Sequence, residues 1–357
     1  MPAHYRAAII ACGRIAEGAH LPAYRRISAI EVVAGADISA EVRQKWIGEL
    51  GVPRMYADAA EMLERERPDI VSICTWPPLR PSMVELACAA GVKGIVAEKP
   101  MAVDLAGCDR MLTAVEQSGV VLIVGTMRRF HARYQQARAL IDAGAIGDVV
   151  QVSVPGGGDL LTGGSHSVDL MRFLVHDAPA EWVIGQVDTR DLGRKNAPLG
   201  MQQWEETHTR YGHHVESGVL GLVQFQGGAR GLLEGGIMMR YGHGGWPSIV
   251  YGTEGWIEVG PDRPAAGQPW LRARVKGQAD WLYPDVMPNN PFQAEIEALL
   301  EVLEHGGTHP LDGHSARAGQ EILMAVYESA RRRARIDLPL EVTESPFEAM
   351  VAAGVVS

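Results

Sequence analysis

The sequence predicts an α/β protein in which a parallel sheet comes first and a mostly antiparallel sheet second. Two patterns carry this reading. The first third of the chain alternates short, almost wholly apolar runs with amphipathic segments, as parallel strands do when helices cover both faces of their sheet. From Asp148 onward, strand-like runs follow one another without intervening helices, as in an antiparallel sheet. A length of 357 residues leaves room for two such domains, with cores that need neither disulfides nor a structural metal.

The elements follow in order. Ala7–Ala11 is an apolar run that leads into glycine, and Glu31–Asp37, Asp69–Thr75, Lys93–Glu98 and Val120–Gly125 are the next four strands. Helical segments 40–50, 57–65, 81–90 and 105–118 lie between them. Segment 132–143, closed by Gly144, reads as a bridging helix. The later strands are expected at 149–154, 180–187, 218–226, 230–237, 247–251, 255–259 and 270–275, followed by helices at 292–305 and 315–335. The boundary falls at Gly125–Arg128, giving domains 1–127 and 128–357.

Composition excludes several classes. Thirty-three basic residues against 43 acidic ones give a net charge of −10, which opposes nucleic-acid binding. No apolar run reaches eighteen residues, so no membrane span is expected. The opening residues lack the h-region and cleavage site of a secretory signal. Cys12, Cys74, Cys88 and Cys108 form no C-x-x-C pair, and they read as thiols kept reduced in a cytoplasm.

The first strand runs into Ala11-Cys12-Gly13-Arg14-Ile15-Ala16, a G-x-G-x-x-A turn whose first glycine is alanine. Such a turn brings backbone close to a pyrophosphate and aims helix N-terminal amides at it. Gly13 is where a side chain would block the phosphates, and Ala11 suits the turn if its φ stays negative. Asp37 ends the second strand 24 positions after Gly13, near the usual separation of about 20. A carboxylate there accepts hydrogen bonds from ribose hydroxyls and repels a 2′-phosphate, favouring NAD over NADP. The alternative reading of Asp37, placed behind the cofactor one, is the cap of the helix that follows.

Several stretches resemble the Gfo/Idh/MocA oxidoreductases, the family of glucose–fructose oxidoreductase and inositol dehydrogenase. They are the Gly13 turn with Ala19-His20-Leu21-Pro22-Ala23, the run Ala87–Gly91 leading to Glu98-Lys99-Pro100, the segment Arg128–His131, Ile141–Val149, and Gly156–Asp169. The resemblance implies an N-terminal Rossmann domain, doubly wound around its parallel sheet, and a C-terminal α/β domain with a large open sheet. Through that sheet, family members pair into homodimers or homotetramers. It also implies hydride transfer between a nicotinamide cofactor and a carbinol carbon of a sugar, polyol or sugar derivative. By the same resemblance, cofactor contacts come from Ala11, Gly13, Arg14, Ile15, Asp37, Thr75, Trp76, Pro77, Glu98, Lys99 and Arg129.

Lys99 and His166 are the expected catalytic pair, with Thr162 beside them. In the family a cis peptide often precedes the proline of the Glu98-Lys99-Pro100 signature. Lys99 would donate to the reacting hydroxyl, and neutral His166 would take its proton. Glu98 would contact the ribose or fix Lys99. Relatives often carry Asp where this chain has Thr162, which can hydrogen-bond but not titrate. Trp76-Pro77 and Arg80 also depart from the family pattern, and the stretch 148–156 is shorter than usual. Asp169 lies on the His166 face of a helix and would either orient His166 or brace the helix.

His208, His213, His214 and His243, with Glu205, Glu206 and Glu216, lack metal-ligand spacing and read as a polar wall with no metal. Trp246, Trp256, Trp270 and Trp281 would pack in the core or stack on a sugar, and Arg331-Arg332-Arg333 reads as a solvated face. Two rivals to the dehydrogenase remain. One is an NAD-dependent glycoside-cleaving enzyme that oxidises transiently and eliminates. The other is a cofactor-binding regulator without catalysis.

Overall fold

The computed structural model describes residues 4–189, 209–236, 246–261, 264–265 and 267–356. Of the sequence-derived candidates, His208, His243, Glu205 and Glu206 lie outside the described residues, as does Ile237 at the end of an expected strand.

The chain forms two compact units. The first comprises Met1–Ala102, Ala106–Met127 and Asn290–Arg317, and the second Val103–Leu105, Arg128–Asn289 and Ala318–Ser357. The first unit holds β1 (Tyr5–Ile10), β2 (Ile30–Ala36), β3 (Met55–Tyr56), β4 (Ile70–Ile73), β5 (Gly94–Ala97) and β6 (Val121–Val124). They form one parallel sheet in the order β3-β2-β1-β4-β5-β6. Every residue of β4 and β5 is buried, as a strand covered on both faces requires. The helices of this unit include α1 (Leu21–Arg26), α2 (Ala40–Gly48), α3 (Ala59–Glu66), α4 (Arg80–Ala89) and α5 (Leu105–Ser118). The strand order reverses between β1 and β4, and ligands of open α/β sheets bind outside the carboxyl ends of the strands at that point.

A single cut after residue 127 does not describe this unit. The helix Pro291–His305 buries Ile296, Leu299 and Leu300, and Leu299 lies 3.3 Å from where a Cβ on Gly94 would stand. Beyond it, the Val124 N–H donates to Leu311 O at 3.0 Å. Residues 290–317 therefore complete the parallel-sheet core.

The second unit is built on an eight-stranded sheet in the order β15-β14-β13-β7-β12-β11-β8-β16. Its strands are β7 (Val149–Gly157), β8 (Ala180–Asp188), β11 (Gly218–Phe225), β12 (Arg230–Gly236), β13 (Ser248–Gly252), β14 (Trp256–Val259), β15 (Leu271–Arg274) and β16 (Ile336–Asp337). Only β7 and β12 pair in parallel. A separate two-stranded ribbon joins β9 (Thr209–Arg210) to β10 (His213–His214). The expectation of uninterrupted strands after Asp148 needs correction. A π-helical turn, Leu160–Gly164, leads directly into α7 (Ser165–Leu174), every residue of which is buried. The bridging helix α6 spans Ala132–Asp142.

Candidate active site

The chain leaves β1 through Ala11 at φ +64°, in the left-handed region. The expected negative φ is therefore overturned. The tight turn imposes the positive angle, and the Ala11 N–H is tied to Ala36 O at 2.8 Å. Alanine bears a steric penalty there that glycine escapes. Ala11→Gly is expected to raise the unfolding free energy by about 0.5–1 kcal/mol, net of the extra chain entropy of glycine. Urea denaturation of the two proteins measures it.

Gly13 is exposed, and no protein atom lies within 4 Å of where its Cβ would stand. A helical run begins at once, with the Glu17 N–H on Gly13 O at 3.0 Å, then the π-helical turn Ala16–His20 and α1. Arg14 and Ile15 are exposed beside it. The first N–H groups of a helix lack intrahelical acceptors, so the open space at Gly13 fits a pyrophosphate. Half-buried Asp37 follows β2. Its Oδ2 accepts the Cys12 N–H at 2.8 Å and its Oδ1 the Ser39 N–H at 2.8 Å. Asp37 thus ties the phosphate turn to the start of α2, and its remaining lone pairs suit ribose hydroxyls. The helix cap proper is Ser39, which accepts the Val42 N–H.

At the carboxyl end of β4, Thr75 Oγ1 is buried with no hydrogen-bond partner. Trp76 is 52% exposed and Pro77 is buried. Beyond β5, the Lys99-Pro100 bond is cis and Lys99 is half-buried. Glu98 is buried. Its Oε1 bonds His20 Nε2 at 3.0 Å, and its Oε2 accepts the Lys99 backbone N–H at 3.2 Å. Of the two roles expected of Glu98, this geometry supplies the fixing of Lys99. Burial alone would raise the Glu98 pKa, but the bond to His20 and the charges of His20, Lys99 and Arg80 lower it. Burial likewise opposes the charged form of His20, yet Cys74 and Glu98 push its pKa well above the ordinary value.

Arg80, a departure from the family pattern by sequence, is buried where α4 begins. It donates to Pro100 O and, at 2.5 Å, to Thr75 O. One guanidinium thereby joins the loops that follow β4 and β5. Burial lowers its pKa to about 10, still cationic at neutral pH.

In the second unit, His166 lies at the head of α7, 5% exposed. Its ring meets the edge of Trp246 at a centroid distance of 5.1 Å. A Cβ on Gly156 would stand 2.8 Å from Trp246 Nε1, so only glycine lets the indole approach. Arg128 lies over the same indole, 3.6 Å from its centroid. Thr162 is half-buried one turn before His166, and its N–H donates to Asp159 Oδ1 at 2.7 Å.

Asp159 and Glu216 are both fully buried at the start of this helical run. Asp159 Oδ2 pairs with Arg210 at 3.0 Å. Glu216 accepts the Leu160 N–H at 2.5 Å and the Tyr327 O–H at 2.6 Å. Burial pushes Asp159 upward, but Arg210, His213 and the Thr162 hydrogen bonds together outweigh it and hold its pKa below the ordinary value. Burial, then the charge of Asp159, raises Glu216 to about 7. The folded state therefore holds a proton that the unfolded chain releases above the ordinary Glu pKa of 4.5. Between those values the stability contributed by Glu216 is expected to fall as pH rises. Glu216→Gln should flatten that part of the curve, as read by chemical denaturation across the pH range.

Asp169 does not serve His166. Both its oxygens are bonded by Arg129, at 2.6 and 3.1 Å, and Arg129 also reaches Asp177 at 3.2 Å. Arg129 is 2% exposed, and its guanidinium braces α7. His213 and His214 diverge, His213 buried and His214 bonded to Glu348 at 2.6 Å. Trp256 and Trp281 pack edge to face, and Trp270 lies near His131. Arg331 and Arg332 pair with Glu328.

Sequence reasoning missed His20, Ser72, Arg80, Asp159 and the position of Glu216. Only His20 carried a signal. It stands on the buried side of a helical run between Ala16 and Tyr24, where an apolar residue is the rule.

Comparison with known proteins decides the family. Residues 5–126 match the model of the oxidoreductase family with an NAD-binding Rossmann fold, and residues 153–258 that of the GFO/IDH/MocA C-terminal domain. Over 99% of its length the chain is 37% identical to D-apiose dehydrogenase of Paraburkholderia graminis, covering 94% of that protein. The chain belongs to the Gfo/Idh/MocA family. It is 26% identical to inositol 2-dehydrogenase 3 of Saccharopolyspora erythraea, over 88% of this chain and 90% of that one. The crystal structure of aldose-aldose oxidoreductase from Caulobacter crescentus complexed with glycerol matches with a TM-score of 0.79, 23% identity, and coverage of 94% of this chain and 100% of that one. At that identity the likeness is one of fold. As a Gfo/Idh/MocA protein, this chain is an NAD-dependent oxidoreductase, as the sequence motifs predicted.

Proposed function

We propose that this Gfo/Idh/MocA protein oxidises a carbinol carbon of a free sugar or polyol, with D-apiose the first substrate to try. The observation that carries this lies within one unit. A turn left open at Gly13, a carboxylate at Asp37 and an amine-bearing residue at Lys99 all stand at the carboxyl edge of one parallel sheet. The backbone from Ala11 to Ile15 holds pyrophosphate, and Asp37 holds the adenosine ribose. Thr75, Trp76 and Pro77 flank the bound cofactor. Bound NAD supplies the hydride acceptor. Lys99 donates to the reacting hydroxyl and stabilises the charge that develops on its oxygen. His166 takes the proton, and Thr162, which cannot titrate, only hydrogen-bonds. The substrate class rests on the names of the relatives, which are sugar and inositol dehydrogenases.

A panel of D-apiose, aldoses and inositols with each cofactor tests the proposal through the absorbance of reduced nicotinamide. NADH accumulating in step with product supports it. Glycoside cleavage with no net NADH would support the elimination rival, and tight NAD binding without turnover on any substrate the regulator. Asp37→Ser should cost NAD about tenfold or more in kcat/KM, the worth of hydrogen bonds to a charged group, and should raise kcat/KM for NADP.

The open sheet supports assembly into a homodimer or homotetramer. One face carries Ile184, Leu220 and Tyr251, each more than 40% exposed. Sedimentation at micromolar protein should give a mass of two or four chains, and a monomer would refute it. Four free cysteines and the lack, among the described residues, of any helix able to cross a membrane support a cytoplasmic enzyme.

A further inference from the structure

Behind Lys99 runs a buried chain of hydrogen bonds drawn from three separate elements. Tyr24 O–H meets Ser72 Oγ at 2.7 Å, Ser72 Oγ meets His20 Nδ1 at 3.0 Å, and His20 Nε2 meets Glu98 Oε1 at 3.0 Å. The other Glu98 oxygen accepts the Lys99 N–H. Tyr24, Ser72 and His20 are 0% exposed, and the ring of Phe292 lies 5.9 Å from that of His20. Burying an imidazole and a carboxylate is costly unless each polar atom is bonded. Here every bond ends on a group that orients the next, so the carboxylate of Glu98 has one orientation open to it.

We propose that His20 is a positioning residue for the reaction: by holding Glu98 Oε1 it aims Glu98 Oε2 at the Lys99 backbone and so fixes the place of the Lys99 amine. The proposal rests on the reading of Lys99 as the group that meets the reacting hydroxyl. His20, 0% exposed, would act through Glu98.

Two substitutions separate the two ring nitrogens. The amide of Gln reaches the position of Nε2 and can still donate to Glu98, whereas the amide of Asn reaches only that of Nδ1 and Ser72. His20→Gln is expected to keep kcat within about threefold of the parent, and His20→Asn to lose about 10- to 100-fold, the worth of a hydrogen bond to a charged group. In both, the substrate KM and the NAD dissociation constant should stay within about threefold, a split that general loosening does not produce. Equal kcat in the two variants, or loss of NAD binding alongside kcat, would overturn the proposal. Thermal unfolding is read for each, and if His20→Asn fails to fold, His20→Leu removes the same Glu98 bond. Lys99→Ala serves as control. If it keeps full activity, the reading of Lys99 itself fails. If it is inactive while His20→Asn is fully active, only the role of His20 fails.

Discussion

Lys99→Ala is expected to lower kcat by about 10²- to 10⁴-fold while NAD still binds within about threefold of the parent. The size follows from the role proposed for the amine: it would donate to an oxygen whose negative charge grows only as hydride departs, so its worth would appear in the transition state. NAD binding should survive because the contacts proposed for pyrophosphate and adenosine lie at the Gly13 turn and Asp37, at the ends of two other strands. Fluorescence titration with NAD, beside steady-state kinetics, separates the two effects. If affinity for NAD falls in proportion to kcat, Lys99 belongs to cofactor binding and not to proton and charge management.

His166→Asn should lower kcat by about 10²- to 10⁴-fold, the range for losing a general base. The loss should be at the upper end here, because Thr162, one helical turn before His166, cannot titrate in its place. Asp159, three residues earlier, does not replace it, since Arg210 and the Thr162 N–H occupy its oxygens. In the parent, kcat should fall on the acid side as the imidazole gains a proton and loses its capacity to accept one. That limb should vanish in His166→Asn. A pH–kcat profile whose acid limb survives the substitution would assign the proton to another group.

Much of the fold is legible in the sequence because each parallel strand, buried on both faces, reads as a bare apolar run between turn residues. Ile70–Ile73 and Gly94–Ala97 are found that way. What escapes is what depends on three-dimensional partners. The helix Pro291–His305 is plain from its periodicity, but an apolar stripe does not say which core receives it. Two-residue strands such as Met55–Tyr56 and Ile336–Asp337 carry no period at all.

The site divides in the same way. Gly13, Asp37, Lys99 and His166 are candidates because a local motif demands each residue type. Ala11 misleads because its left-handed angle is set by the turn and not by the side chain. Arg129 pairs with the carboxylates of Asp169 and Asp177, which its place next to a motif does not reveal. Arg80 looks like an absence of the usual residue, yet its guanidinium joins two loops. His20 and Ser72 are 52 positions apart and meet only because β1 and β4 pair in the sheet.

A crystal structure with NAD and a bound polyol settles whether this crevice and these side chains share one reaction. The adenosine ribose hydroxyls should lie within hydrogen-bond distance of Asp37, and the reacting substrate oxygen should be met by Lys99 Nζ. A dinucleotide bound away from the Gly13 turn, or a reacting oxygen that Lys99 does not reach, would show that the chemistry is done by other groups.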